Sequence, residues 1–436
     1  MSASVARRRA FGLSSATALV VANMIGAGVF TTSGFALHDL GSRGQVMAAW
    51  LLGGLIALCG ALSYGALVRR MAESGGEYLF LSRFVHPRVG FLAGWVSLLA
   101  GFTGAIAFAA TAFETYALPA AARPGWLPEG GLAVGVILAC ALLHGRSVRH
   151  GLLTQNLVVV LKLALLLGFV GYALARLGRG GWPGSALPDL GTTFSLTAFA
   201  STMVWISLSY SGFNAAVYVA GEVREARTTV PRSLWLGTVV VAGFYLALNA
   251  VFVYAPAPDA VTGRPDVAAV AADALGGHWP AALVRAAIGL ALLSSISSMI
   301  VAGPRVYARM ARDGVFPALF RGSGEQGEHR APTASIVLQA LLATLVVSVS
   351  TLSQLLSYLG FTLSLSAAGA VACVFLVRRR EGAQAVPCVG YPVVPALFIL
   401  ATLVLAGLAA MRRPWELVAA LATIASGTVA YSFFRR

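Results

Sequence analysis

The chain has 436 residues, of which 58% are hydrophobic and only 11% are charged, with a formal net charge of +15. Soluble domains carry roughly a quarter charged residues. Here the apolar residues fall in runs of about 20, long enough to cross a bilayer as helices, which excludes a soluble multidomain protein. The arginines lie in short connections between these runs and form no basic stripe interleaved with aromatic residues, so no nucleic-acid partner is expected.

Twelve membrane-spanning helices are predicted, which makes the chain an all-α integral membrane protein with one transmembrane domain over residues 1–436. The basic stretch Arg7 to Arg9 precedes the first run but no cleavage-site pattern follows it. We therefore expect the first run to be a retained span and not a removed signal peptide. The expected spans are 13–37, 45–68, 89–117, 128–145, 152–175, 194–219, 232–255, 280–308, 332–349, 353–377, 392–411 and 414–433.

The distribution of arginine predicts the orientation of these spans. With the N-terminus inside, 22 arginines fall on the cytoplasmic side and 8 on the outer side or at outer helix ends. The positive-inside rule then places both termini in the cytoplasm. The expected location is the plasma membrane, which is the inner membrane of a bacterium, with the lipid bilayer as surroundings.

The first and sixth spans each contain a glycine-bearing cluster near the middle of the membrane, at residues 26–28 (Gly-Ala-Gly) and 209–214 (Ser-Tyr-Ser-Gly-Phe-Asn). Glycine favours unwinding, and the freed backbone groups are tolerated where they line a cavity. The N–H end of a broken helix attracts anions and the C=O end attracts cations, so a break suits the two charges of an α-amino acid. Close packing of helices is the alternative reading of either cluster alone. Their placement five spans apart favours paired halves of an inverted repeat.

Lys162 is the only lysine in the chain, since the other 30 basic residues are arginine. It lies in span five between apolar residues, where an ionisable group is costly and by default functional. A desolvated ammonium gives up its proton more readily than a guanidinium does, so Lys162 suits a proton carrier or a fixed cation in the place of Na⁺. Snorkelling toward the cytoplasmic interface is the simpler alternative.

Other polar residues give weaker signals. Ser294 and Ser298 share one face of span eight and could donate to Lys162 and to substrate, although serine also bonds its own helix backbone. Glu114 is expected near the outer end of span three. Four cysteines and six histidines show neither a disulfide framework nor metal-ligand spacing, and no enzyme motif is present. We expect no cofactor, no metal and no enzymatic activity.

Several motifs resemble those of the amino acid–polyamine–organocation family of permeases, over essentially the whole chain. The loop after span two is the most specific of them. The matching segments are 25–30 (IGAGVF), 73–78 (ESGGEY), 90–95 (GFLAGW), 210–214 (YSGFN), 305–317 (the end of span eight) and 391–395 (YPVVP).

The resemblance implies a five-plus-five inverted repeat with broken helices one and six, followed by two further helices. The repeats would cover residues 13–175 and 194–377, and the last two helices residues 392–433. It implies transport of amino acids by alternating access, with Lys162 in the place of a sodium ion and Ser294 as its neighbour. The implied substrate contacts are the amides of Gly26, Ala27 and Gly28 for the carboxylate, carbonyls near Met24, Ile25 and Leu208 for the amine, and Ser211 and Asn214 around the side chain. Ser298, on the face of span eight described above, is a further candidate for substrate binding.

The sequence departs from the pattern of this family at two places. Span two has Ala66 where many members carry a glutamate, and Glu225-Ala226 replaces a common Asn-Pro after span six. Members of this family that are disulfide-linked to a glycoprotein carry a cysteine between spans three and four. Residues 119–130 hold no cysteine, so the resemblance implies no such partner. The leading hypothesis is sodium-independent transport of neutral amino acids, as an exchanger or a proton symporter. Transport of cationic amino acids or polyamines is the alternative in the same class, and a receptor or channel is the alternative in another.

Overall fold

The computed structural model describes residues 12–118, 122–146, 151–191, 193–321 and 333–434. The basic stretch Arg7 to Arg9, part of the connection between predicted spans three and four, and the C-terminal pair Arg435 and Arg436 lie outside these ranges. The orientation drawn from the arginines therefore stays a prediction.

The described chain consists of helices and connecting turns, with no β-strand in these ranges. The helices are α1 Leu13–Met24, α2 Ala27–Leu40, α3 Arg43–Arg70, α4 Gly76–Phe84, α5 Pro87–Ala117, α6 Gly131–Arg146, α7 Gly151–Gly180, α8 Leu196–Ser209, α9 Ala215–Tyr218, α10 Ala226–Tyr254, α11 Pro258–Val261, α12 Val267–Gly276, α13 His278–Arg312, α14 Thr333–Val349, α15 Leu352–Glu381, α16 Val393–Ala410 and α17 Pro414–Phe434. Two short 3₁₀ turns lie at Ala220–Glu222 and Ala318–Phe320.

Eight of the described helices are long and apolar enough to cross a membrane, and there are nine such spans if the bent pair α1 and α2 counts as one. The chain is thus a multi-pass membrane protein. Three of the predicted spans, at 128–145, 194–219 and 332–349, correspond to the shorter apolar helices α6, α8 and α14.

Local signals explain where several helices begin and end. Thr351 accepts from the backbone N–H of Gln354, whose side chain accepts in return from the Thr351 N–H, and this capping box starts α15. Pro87 occupies the first turn of α5, where its missing N–H costs nothing. Gly41 ends α2 with a φ of 63°, the left-handed conformation that glycine adopts without a steric cost.

Helix α3 packs closely against α8, the helix at the start of the predicted sixth span. A Cβ at Gly53 would lie 2.5 Å from Cγ2 of Ile206, so only glycine permits this approach. The hydroxyl of Tyr210 donates to the carbonyl of Trp50 at 3.0 Å. These two contacts position the C-terminal end of α8 and Tyr210, the first residue after it.

The two halves of the first span are packed very differently. Eleven of the 14 residues of α2 are buried, whereas α1 buries only Ala16, Val20 and Met24. The side chain of Asn23, one residue before the end of α1, is exposed. The second half of this span therefore belongs to the core, whereas the first half is partly exposed.

Three features of the fold were not expected from the sequence. Helix α4 forms in the connection after span two, and α12 forms in the connection at 256–279. Helix α5 contains wider, π-helical turns over Ser97–Gly104. Such turns occur often at functional sites, and nothing in the local sequence marks them.

Candidate substrate site at the two helix breaks

The first span breaks at Ile25 and Gly26, inside the predicted glycine cluster. Helix α1 ends at Met24, α2 begins at Ala27, and the two axes differ by 41°. The N–H of Gly26 turns back to the Met24 carbonyl at 2.8 Å. The N–H groups of Ala27 and Gly28, at the start of α2, have no helical carbonyl to bond, so the break presents them as anion-binding donors.

The predicted sixth span is interrupted between Ser209, where α8 ends, and Ala215, where α9 begins. Gly212 has a φ of 93°, which favours glycine, and a Cβ there would lie 3.0 Å from the carbonyl oxygen of Asn23. A Cβ at Gly28 would lie 2.6 Å from Oγ of Ser209. Gly212 thus packs against the first break, and Gly28 packs against the end of α8. The two breaks are in direct contact at these glycines, and we call this contact the crossing point.

Lys162 reaches the first break from helix α7. Its side chain is only 3% exposed, and Nζ donates to the carbonyl of Ile25 at 2.6 Å and to that of Ala22 at 3.3 Å. In a continuous helix Ala22 would accept from the Gly26 N–H, which here bonds Met24 instead. The ammonium thus satisfies carbonyls that the break leaves open, at the helix end that attracts a cation.

A second donor, Tyr245 of α10, joins the two breaks directly. Its hydroxyl lies 2.5 Å from the Met24 carbonyl oxygen and 3.1 Å from that of Ser209, the last residues of α1 and α8. The ring is fully buried and packs edge-on against Trp50. Sequence reasoning missed this residue, because a tyrosine in an apolar helix carries no signal of what its hydroxyl meets.

The carbonyls predicted to hold a substrate amine already have donors. Met24 accepts from Gly26 and Tyr245, Ile25 accepts from Lys162, and Leu208 accepts from the N–H of Ser211 at 2.9 Å. A carbonyl oxygen has two lone pairs. Met24 has both occupied, whereas Ile25 accepts one bond from a described group.

The two predicted serines, Ser294 and Ser298, lie four residues apart in α13. Ser298 Oγ donates to the Ser294 carbonyl at 2.7 Å, which is the backbone bond that serine commonly makes in helices. No Lys162–Ser294 hydrogen bond occurs among the described residues. Ser211 is half-buried at the break itself.

Asn214, predicted at the border of the pocket, bonds a carboxylate that the sequence did not single out. Its Nδ2 donates to Oε1 of Glu77 in α4 at 3.1 Å. Glu77 is buried and also accepts from the hydroxyls of Tyr64 and Ser366. The only earlier signal was that Glu77 belongs to the 73–78 motif.

Glu114, expected near the outer end of span three, has a structural position. Its carboxylate accepts from Arg123 at 2.9 Å and from the backbone N–H groups of Gly130 and Ala133, at the start of α6. It therefore caps that helix. No group of three potential metal ligands lies together in the described part of the chain.

Comparison with known proteins identifies the family of the chain. Residues 11–426 match the amino acid permease family. The large neutral amino acids transporter small subunit 2 of Mus musculus is 26% identical over 369 residues, which cover 82% of this chain and 68% of that protein. The Asc-type amino acid transporter 1 of Homo sapiens is 24% identical over 404 residues, 91% of this chain and 76% of that protein.

A bacterial relative is matched over most of its length. The serine/threonine exchanger SteT of Bacillus subtilis (strain 168) is 24% identical over 401 residues, 90% of this chain and 89% of that protein. The family match extends over nearly the whole sequence and includes both helix breaks. The chain belongs to the amino acid permease family and is a membrane transporter, not an enzyme.

Proposed function

We propose that this protein transports neutral amino acids across the plasma membrane without sodium, by alternating access, as an exchanger or a proton symporter. The observation that carries this proposal is the Lys162 ammonium on the Ile25 and Ala22 carbonyls. A covalently attached cation at this helix end leaves no need for a bound metal cation there.

The substrate carboxylate would bind the N–H groups of Ala27 and Gly28, at the positive end of α2. The Gly26 N–H, also predicted for this role, is engaged by Met24 in this structure. The amine would meet the carbonyls of Ile25 and Leu208, since Met24 has no lone pair left. Ser211 and Ser298 would border the side chain, and Asn214 would do so only if it left Glu77.

The surroundings of the buried carboxylate nearest to the breaks favour a neutral substrate over a cationic one. Glu77 is the carboxylate joined to the sixth-span break, and it already accepts three hydrogen bonds. A cationic amino acid or a polyamine would bring a second positive charge that needs a free carboxylate. Relatives whose names specify large neutral amino acids or serine and threonine support the same choice.

The finer architecture belongs to this proposal as well. We infer twelve spans in two inverted halves, 13–175 and 194–377, each with a broken first helix, and two further helices at 392–433. The contact of the breaks through Gly28 and Gly212 supports the pairing of these halves. Both termini would be cytoplasmic, and no disulfide-linked glycoprotein is expected because residues 119–130 lack cysteine.

Purified protein in liposomes tests the transport proposal. Uptake of radiolabelled leucine, serine and lysine is measured with Na⁺ or choline outside, with and without internal amino acid. We expect sodium-independent uptake of leucine or serine and little of lysine. Dependence on internal substrate would identify exchange, and uptake driven by an imposed pH gradient would identify proton symport. A strict requirement for Na⁺ would contradict the proposal.

A further inference from the structure

The carboxylate of Glu77 connects segments that are far apart in sequence. It is 7% exposed and lies in α4, a short helix between spans two and three. Oε1 accepts from Tyr64 Oη of α3 at 2.6 Å and from Asn214 Nδ2 at 3.1 Å, and Oε2 accepts from Ser366 Oγ of α15 at 2.8 Å. One side chain thus ties three membrane segments to α4.

These donors are all neutral, which distinguishes Glu77 from the other buried acids. Glu114 is paired with Arg123, and Asp266 with Arg264 and Arg285. No Lys, Arg or His forms an ion pair with Glu77 among the described residues. A buried carboxylate without a cation is poorly stabilised in its ionised form.

The other charged and titratable groups around α4 lie at a distance from this carboxylate or are weak acids. Tyr218, whose ring packs on Gly76, and Tyr64, which donates its hydroxyl to Glu77, are neutral weak acids. Arg380 of α15 donates to the Phe84 carbonyl at the far end of α4. Tyr78 points to Asp313, which is paired with Arg309.

Burial therefore raises the pKa of Glu77 above its ordinary value, and the bonds from Tyr64, Ser366 and Asn214 lower it only in part. Proton uptake becomes favourable as the pH falls toward this raised pKa. The added proton fits on Oε2, since the Ser366 hydroxyl can rotate and accept, whereas the Asn214 amide nitrogen on Oε1 can only donate. The bonds on Oε1 then lose their charge-assisted character, which roughly halves their strength.

We propose that Glu77 is a proton-binding site, and that proton uptake there weakens the attachment of α4 to the broken sixth span through Asn214. Asn214 is two residues from Gly212, which packs on the Asn23 carbonyl at the first break. The Glu77–Asn214 hydrogen bond is therefore only two residues along the chain from the contact between the two breaks. The effect on transport rests on the function proposed above, whereas proton binding itself does not.

Two measurements on the full-length protein in lipid test this proposal. Difference infrared spectroscopy during a pH titration reports the C=O stretch of a protonated buried carboxyl. We expect a band that grows as the pH falls in the parent and is absent in Glu77→Gln. Uptake should depend on pH over the same range in the parent and be flat in Glu77→Gln. Persistence of the band in that variant would overturn the proposal.

A milder variant keeps the test valid if Glu77→Gln does not fold. Ser366→Ala removes one donor to the ionised form, so the midpoint of the infrared titration should move up by about one pH unit. Glu381→Gln, an exposed acid paired with Arg70, is the matched control and should leave the midpoint unchanged. An unmoved midpoint in Ser366→Ala refutes the site. Because the infrared readout needs no substrate, it decides the proton site even if amino acid transport is not observed.

Discussion

The ammonium of Lys162 lies 2.6 Å from the carbonyl oxygen of Ile25, the residue at which the first span breaks. Helix α7 thus supplies a positive charge to a backbone carbonyl 137 residues earlier in the chain. The bond explains how a buried ammonium and an unwound backbone are both tolerated here. An unpaired ammonium and an unpaired carbonyl are each costly when buried, and here each is the partner of the other.

Replacing Lys162 by methionine should therefore impair transport strongly. Methionine replaces the apolar stem of the lysine with an unbranched side chain of similar bulk, but the Ile25 and Ala22 carbonyls lose their donor. An unpaired buried acceptor costs about 1–3 kcal/mol, so we expect uptake to fall about tenfold or more and the melting temperature to drop. Liposome uptake and thermal unfolding measure these effects. Full transport in Lys162→Met would remove this residue from the mechanism.

Tyr245 should stabilise the crossing point of the two breaks. Tyr245→Phe preserves the buried ring and removes the hydroxyl that bonds Met24 and Ser209. We expect a loss of about 1–3 kcal/mol of stability and weaker stabilisation by substrate in thermal-shift assays. Tyr172→Phe is a suitable control, since Tyr172 is an exposed residue and its hydroxyl makes one long bond among the described residues, to the Leu275 carbonyl at 3.3 Å. Equal effects of the two substitutions would contradict the role given to Tyr245.

Gly28 should tolerate no side chain. The Cβ of Gly28→Ala would lie 2.9 Å from the Cα of Ser209, so the backbones of the two broken spans would have to separate. We expect normal membrane insertion with a loss of most uptake. Gly243→Ala in α10 is the matched control, because nothing lies within 4 Å of the added Cβ. Retained uptake in Gly28→Ala would show that the breaks need not touch.

Asp266 should make stability depend on pH at acid pH. Burial alone would raise the pKa of Asp266, but hydrogen bonds and charges from Arg264 and Arg285 lower it below the ordinary value. Its contribution is present above the unfolded-state pKa of about 3.9 and is lost as the pH falls through the lower folded-state value.

Thermal unfolding in detergent at pH 7 and in steps below pH 4 measures this contribution. Asp266→Asn should be less stable than the parent at pH 7 and should lose less stability on acidification. The exposed Asp259→Asn, in the same connection, is the control. Identical acid profiles of the parent and Asp266→Asn would rule out the ion pairs as its source.

The sequence was informative where the chemistry is local or anomalous. The glycines at 26, 28 and 212 predicted where the helices break, and a lone lysine in an apolar run predicted a functional group in span five. These signals are visible because glycine and a buried charge are costly in a membrane helix for reasons that do not depend on the fold.

Contacts between distant segments could not be predicted in the same way. Glu77 lies in a polar connection, and its donors are 13, 137 and 289 residues away. Tyr245 looks like any aromatic residue of an apolar helix. Helix α12 lies in a connection that carries Asp266 and Asp273, and α4 is short, so neither helix stands out in the sequence as a membrane span. Only the packing of the helices brings these groups to their partners.

The central claim, that a covalently attached cation replaces sodium, is tested most directly by the sodium dependence of uptake in parallel for the parent protein and Lys162→Met. Initial rates of leucine and serine uptake into liposomes are measured from zero to saturating NaCl, with choline chloride keeping ionic strength constant. We expect parent rates that do not change with Na⁺ and a large loss of rate in Lys162→Met. Parent uptake that rises from near zero with added Na⁺ would contradict the claim.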